Sequence, residues 1–104
     1  MAKYKVKVKT NVFRMLDNHV LFLAKVSPKS AKSLKQTFIN TVRTLDENPE
    51  HYPRWQPDFE LPLPYHQVLI KKRYLVIFYI KENNVYVDYF LDCRMDNSQI
   101  ILNF

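Results

Sequence analysis

The sequence contains no glycine among its 104 residues and only one cysteine. Phosphate-binding loops of the GxGxxG and GxxxxGK types need backbone without a Cβ close to the phosphate. The absence of glycine therefore argues against a nucleotide-cofactor enzyme, and we expect no cofactor. A single cysteine, Cys93, excludes an internal disulfide and fits a reducing cytosol. His19, His51 and His66 stand too far apart for metal-ligand spacing, so we expect no metal site.

Long apolar runs are also absent. No stretch approaches the roughly 18 consecutive apolar residues that a membrane span needs. The N-terminus, residues 1–6, lacks the continuous apolar segment of a secretory signal. The sequence therefore predicts a cytoplasmic protein with no membrane partner. Its length and its hydrophobic fraction of 47% suit a single domain over residues 1–104.

Acidic residues are scarce in the first half of the chain. The net charge is +6, and residues 1–45 carry ten Lys or Arg against one acid, Asp17. A basic protein of this size is attracted to nucleic acid, ribosomes or an acidic partner chain. The alternative is that solvated lysines only keep the protein soluble.

The sequence of residues 3–48 predicts one strand and two helices. Residues 3–10 alternate strictly, which places the lysines on one face of a strand and the apolar residues on the other. Such lysines also block edge-to-edge pairing. Thr10 or Asn11 is expected to cap the first helix. Ser27-Pro28 is expected to begin a second helix that ends before Pro49, and the pair should form an antiparallel hairpin.

The remaining chain predicts a loop and three strands. Residues 48–64 hold five of the six prolines, with Trp55 and Phe59 among them, which indicates an ordered loop held to the body by its aromatic side chains. Apolar and alternating runs then predict the strands, at residues 65–70, 74–80 and 85–92. The fold class is therefore α+β: an N-terminal strand, a two-helix antiparallel hairpin and three C-terminal strands, forming a mainly antiparallel sheet with the helices on one face.

Alternation along the last strand divides its residues between two faces. Those expected on the core face are Val85, Val87, Tyr89 and Leu91. Those expected on the opposite face are Tyr86, Asp88 and Phe90.

Two groups of cations are candidate binding residues. Arg94 follows directly where the last strand ends, at a sheet rim where a guanidinium can bind phosphate or carboxylate with two hydrogen bonds. Its alternative role is an intramolecular ion pair with Asp92, Asp96 or Asp88. Lys71, Lys72 and Arg73 form a basic turn that can hold a phosphate backbone, or that is only a solvated loop.

Two further side chains are candidates for catalysis. His66 opens a strand and can act as general acid or base, although a histidine there can also be structural. Tyr86 is the more exposed tyrosine of the last strand and can donate a proton or stack on a base; the alternative is cross-strand packing. Cys93 is expected to be a small buried residue beside the rim.

The ordered set of segments resembles the RelE/ParE superfamily of bacterial type II toxins, over roughly residues 3–96. The resemblance rests on the first strand and helical hairpin together with three phrases. The phrases are Leu45-Asp46-Glu47-Asn48-Pro49, the basic turn and apolar strand from Lys71 to Ile80, and Leu91-Asp92-Cys93-Arg94-Met95-Asp96.

This resemblance implies a growth-inhibiting toxin of an addiction or plasmid-stabilisation module. A cognate antitoxin with an acidic, amphipathic tail would neutralise it, commonly in a hetero-oligomer. RelE-like members cleave mRNA on the ribosome without metal, as endoribonucleases (mRNA interferases). ParE-like members inhibit DNA gyrase.

The family's functional residues are matched unevenly. Its arginine near the end of the last strand corresponds to Arg94. RelE-like nucleases often begin the apolar strand with Tyr-Arg, where this chain has Tyr74-Leu75, and their lysines fall near His66 and Val68. The nuclease set is therefore incomplete in this chain unless Arg73 or His66 substitutes for a missing residue. The candidate catalytic residues are Arg94, His66 and Tyr86. The resemblance therefore leans toward a ParE-like toxin, with a RelE-like nuclease and a non-toxic basic binding module as alternatives.

Overall fold

A computed structural model describes residues 3–94, and the Met95 and Asp96 of the closing phrase lie outside them. The elements in chain order are β1 (Lys5–Val8), α1 (Thr10–Val26), α2 (Pro28–Thr44), a short 3₁₀ turn (Pro49–His51), β2 (His66–Ile70), β3 (Tyr74–Lys81) and β4 (Asn84–Asp92). The strand order is β1-β4-β3-β2. β1 runs parallel to β4, whereas β4–β3 and β3–β2 are antiparallel. The predicted α+β architecture is confirmed.

The two helix starts differ in how well the sequence anticipates them. Ser27 caps α2, because its Oγ accepts a hydrogen bond from the Ser30 N–H at 3.2 Å, and Pro28 is the first helical residue. The cap of α1 is Lys9, with no side-chain hydrogen bond, so the prediction of Thr10 or Asn11 was wrong. The Lys9 N–H still donates to the Val87 carbonyl of β4, and the chain passes from strand to helix without a spacer.

The main core lies between the helical hairpin and one face of the sheet, here called the helix face. Phe38 of α2 meets Phe90 of β4 edge to face, with ring centroids 5.6 Å apart. The other fully buried residues of this main core include Val12, Leu16, Leu34, Val76, Phe78, Val85 and Val87. Burial of these apolar stripes holds the sheet and helices together.

A β-bulge in β4 overturns the predicted division of its faces. Ile77 pairs with Tyr89, whereas the next residue, Phe78, pairs with Val87. Asp88 is therefore an extra residue in β4, and the side-chain alternation changes phase there. Phe90 joins the helix-face core. Tyr89 and Leu91 pack instead in a second cluster on the opposite, outer face.

The proline-containing loop covers part of that outer face. Trp55 and Phe59 pack against a buried cluster made by Tyr65, Ile77, Tyr89 and Leu91. The Trp55 N–H donates to the Tyr65 carbonyl at 2.9 Å. Inside the cluster the Tyr65 hydroxyl donates to the buried Asp88 carboxylate at 2.8 Å. The loop is held by its aromatic residues, as its composition indicates.

Neither helix among residues 3–94 combines the length and the apolar character that crossing a membrane requires.

Candidate functional site

The turn between β2 and β3 projects two lysines into solvent. Lys71 and Lys72 have φ angles of 54° and 56°, the left-handed region that glycine or asparagine usually occupies. The Arg73 N–H donates to the Ile70 carbonyl at 3.2 Å, so Lys71 and Lys72 are the two central residues of a tight turn, and positive φ at both is the type I′ pattern. In a chain without glycine, two lysines adopt it and both are exposed.

The buried carboxylate of Asp92 joins this turn to the end of β4. Its Oδ2 accepts a hydrogen bond from Arg73 Nε at 3.1 Å. Its Oδ1 accepts the backbone N–H of Arg94 at 2.9 Å and lies 3.8 Å from Arg94 Nε. One carboxylate therefore holds two arginines that are far apart in sequence. We call Lys71, Lys72, Arg73 and Arg94 the cationic rim.

Asp92 is held in its ionised form. Burial disfavours the charge, but the hydrogen bonds from the Arg94 N–H and the Arg73 guanidinium outweigh that effect, and the pKa of Asp92 lies below its ordinary value. The carboxylate is therefore charged at neutral pH and orients the arginines.

The two arginines differ in mobility and reach. Arg73 is 30% exposed and its guanidinium lies 5.2 Å from the Tyr74 ring centroid, so both the carboxylate and the ring fix its position. Arg94 is 67% exposed. It can therefore extend toward a partner, as its place at the strand end predicts. Its ion pair with Asp92, the alternative role, is also present.

A cleft of about 360 Å³ lies between the cationic rim and the helical hairpin. Lys29 and Ser33 of α2 line it opposite Lys71 and Arg73, and Leu23, Leu34 and Tyr74 supply apolar walls. Lys71 Nζ donates to Ser33 Oγ at 2.5 Å. Sequence analysis missed Lys29 and Ser33, because only the folding of α2 against the turn brings these distant residues together.

His19 of α1 packs behind the rim. Its ring contacts Tyr74 and Phe90 edge to face, with centroid distances of 5.2 and 5.6 Å. Burial lowers the pKa of His19, and nearby Asp92 only partly opposes the shift. The neutral imidazole thus serves as packing beneath the arginines.

His66 lies away from the rim. It pairs with Phe78, and the two rings stack at 5.3 Å. Its Nδ1 donates to the Tyr52 carbonyl at 2.8 Å. Phe78 is four residues along β3 from Tyr74, the partner of Asp92. That separation is roughly 13 Å along a strand, so His66 and Arg94 occupy different parts of the sheet.

Tyr86 lies on the other face of the sheet from Asp92. It stacks on Tyr79 with ring centroids 4.9 Å apart, and Lys7 Nζ lies 5.6 Å from its centroid. Of the sequence candidates, the fold brings together the turn cations and Arg94. It leaves His66 and Tyr86 separate from them and from each other.

Cys93 is exposed, which corrects the expectation of a buried residue. β4 ends at Asp92, so Cys93 is the first residue of the following turn, where its N–H donates to the Arg73 carbonyl at 2.8 Å. Within residues 3–94, no three His, Cys, Asp or Glu side chains lie close enough together to hold a metal ion.

No protein-family model matches this sequence, and no curated protein is significantly similar to it. The resemblance to type II toxins therefore remains a prediction from sequence motifs.

Proposed function

We propose that this protein is a growth-inhibiting toxin of the RelE/ParE kind that acts by binding a protein target, DNA gyrase, and that a cognate antitoxin neutralises it. The observation that supports binding over RNA cleavage is the separation of Arg94, His66 and Tyr86. Metal-independent cleavage needs an acid and a base within hydrogen-bond reach of one phosphate. These three side chains lie at a strand end, on the helix face and on the outer face.

The cationic rim has the properties of a protein-binding surface. Arg73 is held in place by Asp92 at 3.1 Å, so little side-chain entropy is lost when it pairs with a carboxylate. Arg94 is exposed beside it. Arginines in such positions often dominate the energy of an interface.

The second candidate function is ribosome-dependent cleavage of mRNA. What favours it is that Arg73 and Arg94 converge on one carboxylate, so that both guanidinium groups could reach the same phosphate. In that case Arg73 would substitute for the arginine that the sequence lacks at Leu75.

Induced expression in a bacterial host tests the proposal. We expect growth arrest that is relieved by co-expressing the neighbouring small reading frame, with DNA-damage signalling and filamentation and with intact transcripts. Arg94→Ala should abolish the arrest. Arg43→Ala is the matched control, because Arg43 is exposed in the last turn of α2, away from the rim.

Each contrary result identifies an alternative. Rapid arrest of translation with transcripts cut at codon positions would replace gyrase inhibition by RNA cleavage. Normal growth after induction, with the protein accumulating in folded form, would leave only a non-toxic binding module.

A further inference from the structure

The outer face of the sheet carries a second cationic surface beyond the proline-containing loop. In the register of β1, β4 and β3, Lys7 lies beside Tyr86, and Tyr86 lies beside Tyr79. The neighbouring row is Lys5, Asn84 and Lys81. We call the surface formed by Lys5, Lys7, Tyr79, Lys81 and Tyr86 the lysine–tyrosine face.

These side chains are accessible and mutually arranged. Lys5, Lys7 and Lys81 are exposed, and Tyr79 and Tyr86 are half-buried. The two tyrosine rings stack at an angle of 18°. Burial raises the pKa of Tyr79, so its hydroxyl stays protonated and can donate a hydrogen bond to an anion.

The spacing of the lysines suits a repeating anion. Alternate residues of a strand lie roughly 6.6 Å apart on one face, which is close to the distance between successive phosphates in an extended single strand of nucleic acid. Lys9 continues the series and is exposed, with its Nζ 6.0 Å from the Tyr89 ring centroid.

We propose that the lysine–tyrosine face binds single-stranded nucleic acid, with lysines on successive phosphates and the Tyr86 ring against a base. Stacking on an aromatic ring tolerates any base, and it adds to the electrostatic attraction of a basic groove. One side of the Tyr86 ring is taken by Tyr79. The other side faces the Lys7 ammonium at 5.6 Å, a loose contact that a base replaces when the ammonium turns to a phosphate.

An acidic protein segment fits this face less well. It would satisfy the lysines, but it would make no use of two stacked tyrosines in the same row. The lysine–tyrosine face lies on the opposite side of the sheet from Asp92 and does not involve the cationic rim, so the inference is independent of the proposed function.

Fluorescence anisotropy of the full chain with labelled oligo(U) and oligo(dT) of about 12 nucleotides tests the inference. We compare Lys5→Glu/Lys7→Glu with Lys32→Glu/Lys35→Glu, which makes the same change in net charge at exposed positions of α2. We expect the β1 pair to weaken binding by about tenfold or more, and the α2 pair by less than about threefold.

The salt dependence supplies a second measure. With Lys5→Gln/Lys7→Gln, the slope of log K against log salt should fall by about 1.4, because each phosphate contact of a single strand contributes about 0.7. The Lys5→Glu/Lys7→Glu variant also distinguishes phosphate binding from protection of the sheet edge. Glutamates on β1 block edge-to-edge pairing as well as lysines do, but they do not bind phosphate.

Substitutions at Tyr86 test the stacking contact. Tyr86→Phe should bind as tightly as the unchanged protein, whereas Tyr86→Leu should bind several-fold more weakly, with circular dichroism showing that each variant is folded. No binding near 50 mM salt, or equal weakening by the two lysine pairs, would overturn the proposal. So would equally effective competition by polyglutamate of matched charge, which would indicate an acidic protein partner instead.

Discussion

Replacing Asp92 by asparagine should destabilise the protein measurably, although the two side chains have almost the same shape. The carboxylate accepts hydrogen bonds from Arg73 Nε at 3.1 Å and from the Arg94 N–H at 2.9 Å. An amide keeps one acceptor oxygen but loses the charge. Hydrogen bonds to a charged group contribute roughly 1.5–3 kcal/mol, so we expect a loss of about 2 kcal/mol. For a domain of this size that loss lowers the Tm by roughly 10 °C.

The pH dependence of this difference follows from the lowered pKa of Asp92. A carboxyl whose pKa is lower in the folded state stabilises the protein above its unfolded pKa, ordinarily 3.8. That contribution is lost as the pH falls through the folded-state value. The difference in free energy of unfolding between Asp92→Asn and the unchanged protein should therefore be constant near neutrality. It should disappear in acid, below about pH 4.

Urea denaturation followed by the fluorescence of Trp55, the one tryptophan of the chain, measures both quantities. Asp17→Asn is the control, because Asp17 is exposed on α1. A loss below about 0.5 kcal/mol, the scale of an exposed ion pair, would refute the reasoning. A gap that persists unchanged at acid pH would refute it as well.

The same denaturation assay checks three further predictions. Phe38→Ala should cost about 3–5 kcal/mol, because it empties a fully buried site against Phe90; a loss under about 1 kcal/mol would contradict this packing. Tyr65→Phe should cost about 1–2 kcal/mol, since it removes the hydroxyl that donates to buried Asp88; an unchanged midpoint would contradict that bond. Lys72→Gly should raise the free energy of unfolding by about 0.5 kcal/mol, because relief of the left-handed backbone exceeds the entropy cost of glycine; a destabilised variant would contradict it.

Local sequence signals predicted the elements of the fold. Strict alternation identified β1, Ser27-Pro28 located the start of α2, and the second helix ends at Thr44, before Pro49. Each of these signals acts within a few residues, through side-chain period, capping or the restriction of proline on its neighbour.

Features that depend on how the strands pair could not be predicted from such local signals. The bulge at Asp88 depends on how β3 aligns with β4, so alternation along β4 alone gives the wrong face for Tyr89, Phe90 and Leu91. The cap at Lys9 reflects a hydrogen bond to β4. The exposure of Cys93 follows from the end of β4 at Asp92.

The sequence identified the cations of the candidate site, but not the contacts that hold them together. Arg94 and the turn cations were identified from their positions at strand ends, where side chains reach solvent. Their shared partner, Asp92, was recognised only as one of several possible ion-pair partners. The fold selects it, because the register pairs Asp92 with Tyr74, next to Arg73.

Titration of purified DNA gyrase with the protein, in a supercoiling assay, measures the proposed inhibition itself. We expect the unchanged protein and Arg43→Ala to inhibit supercoiling alike. Arg94→Ala should fail to inhibit while keeping its unfolding midpoint, since its side chain is 67% exposed. Full gyrase activity at saturating concentrations of the folded, unchanged protein would show that gyrase is not its target.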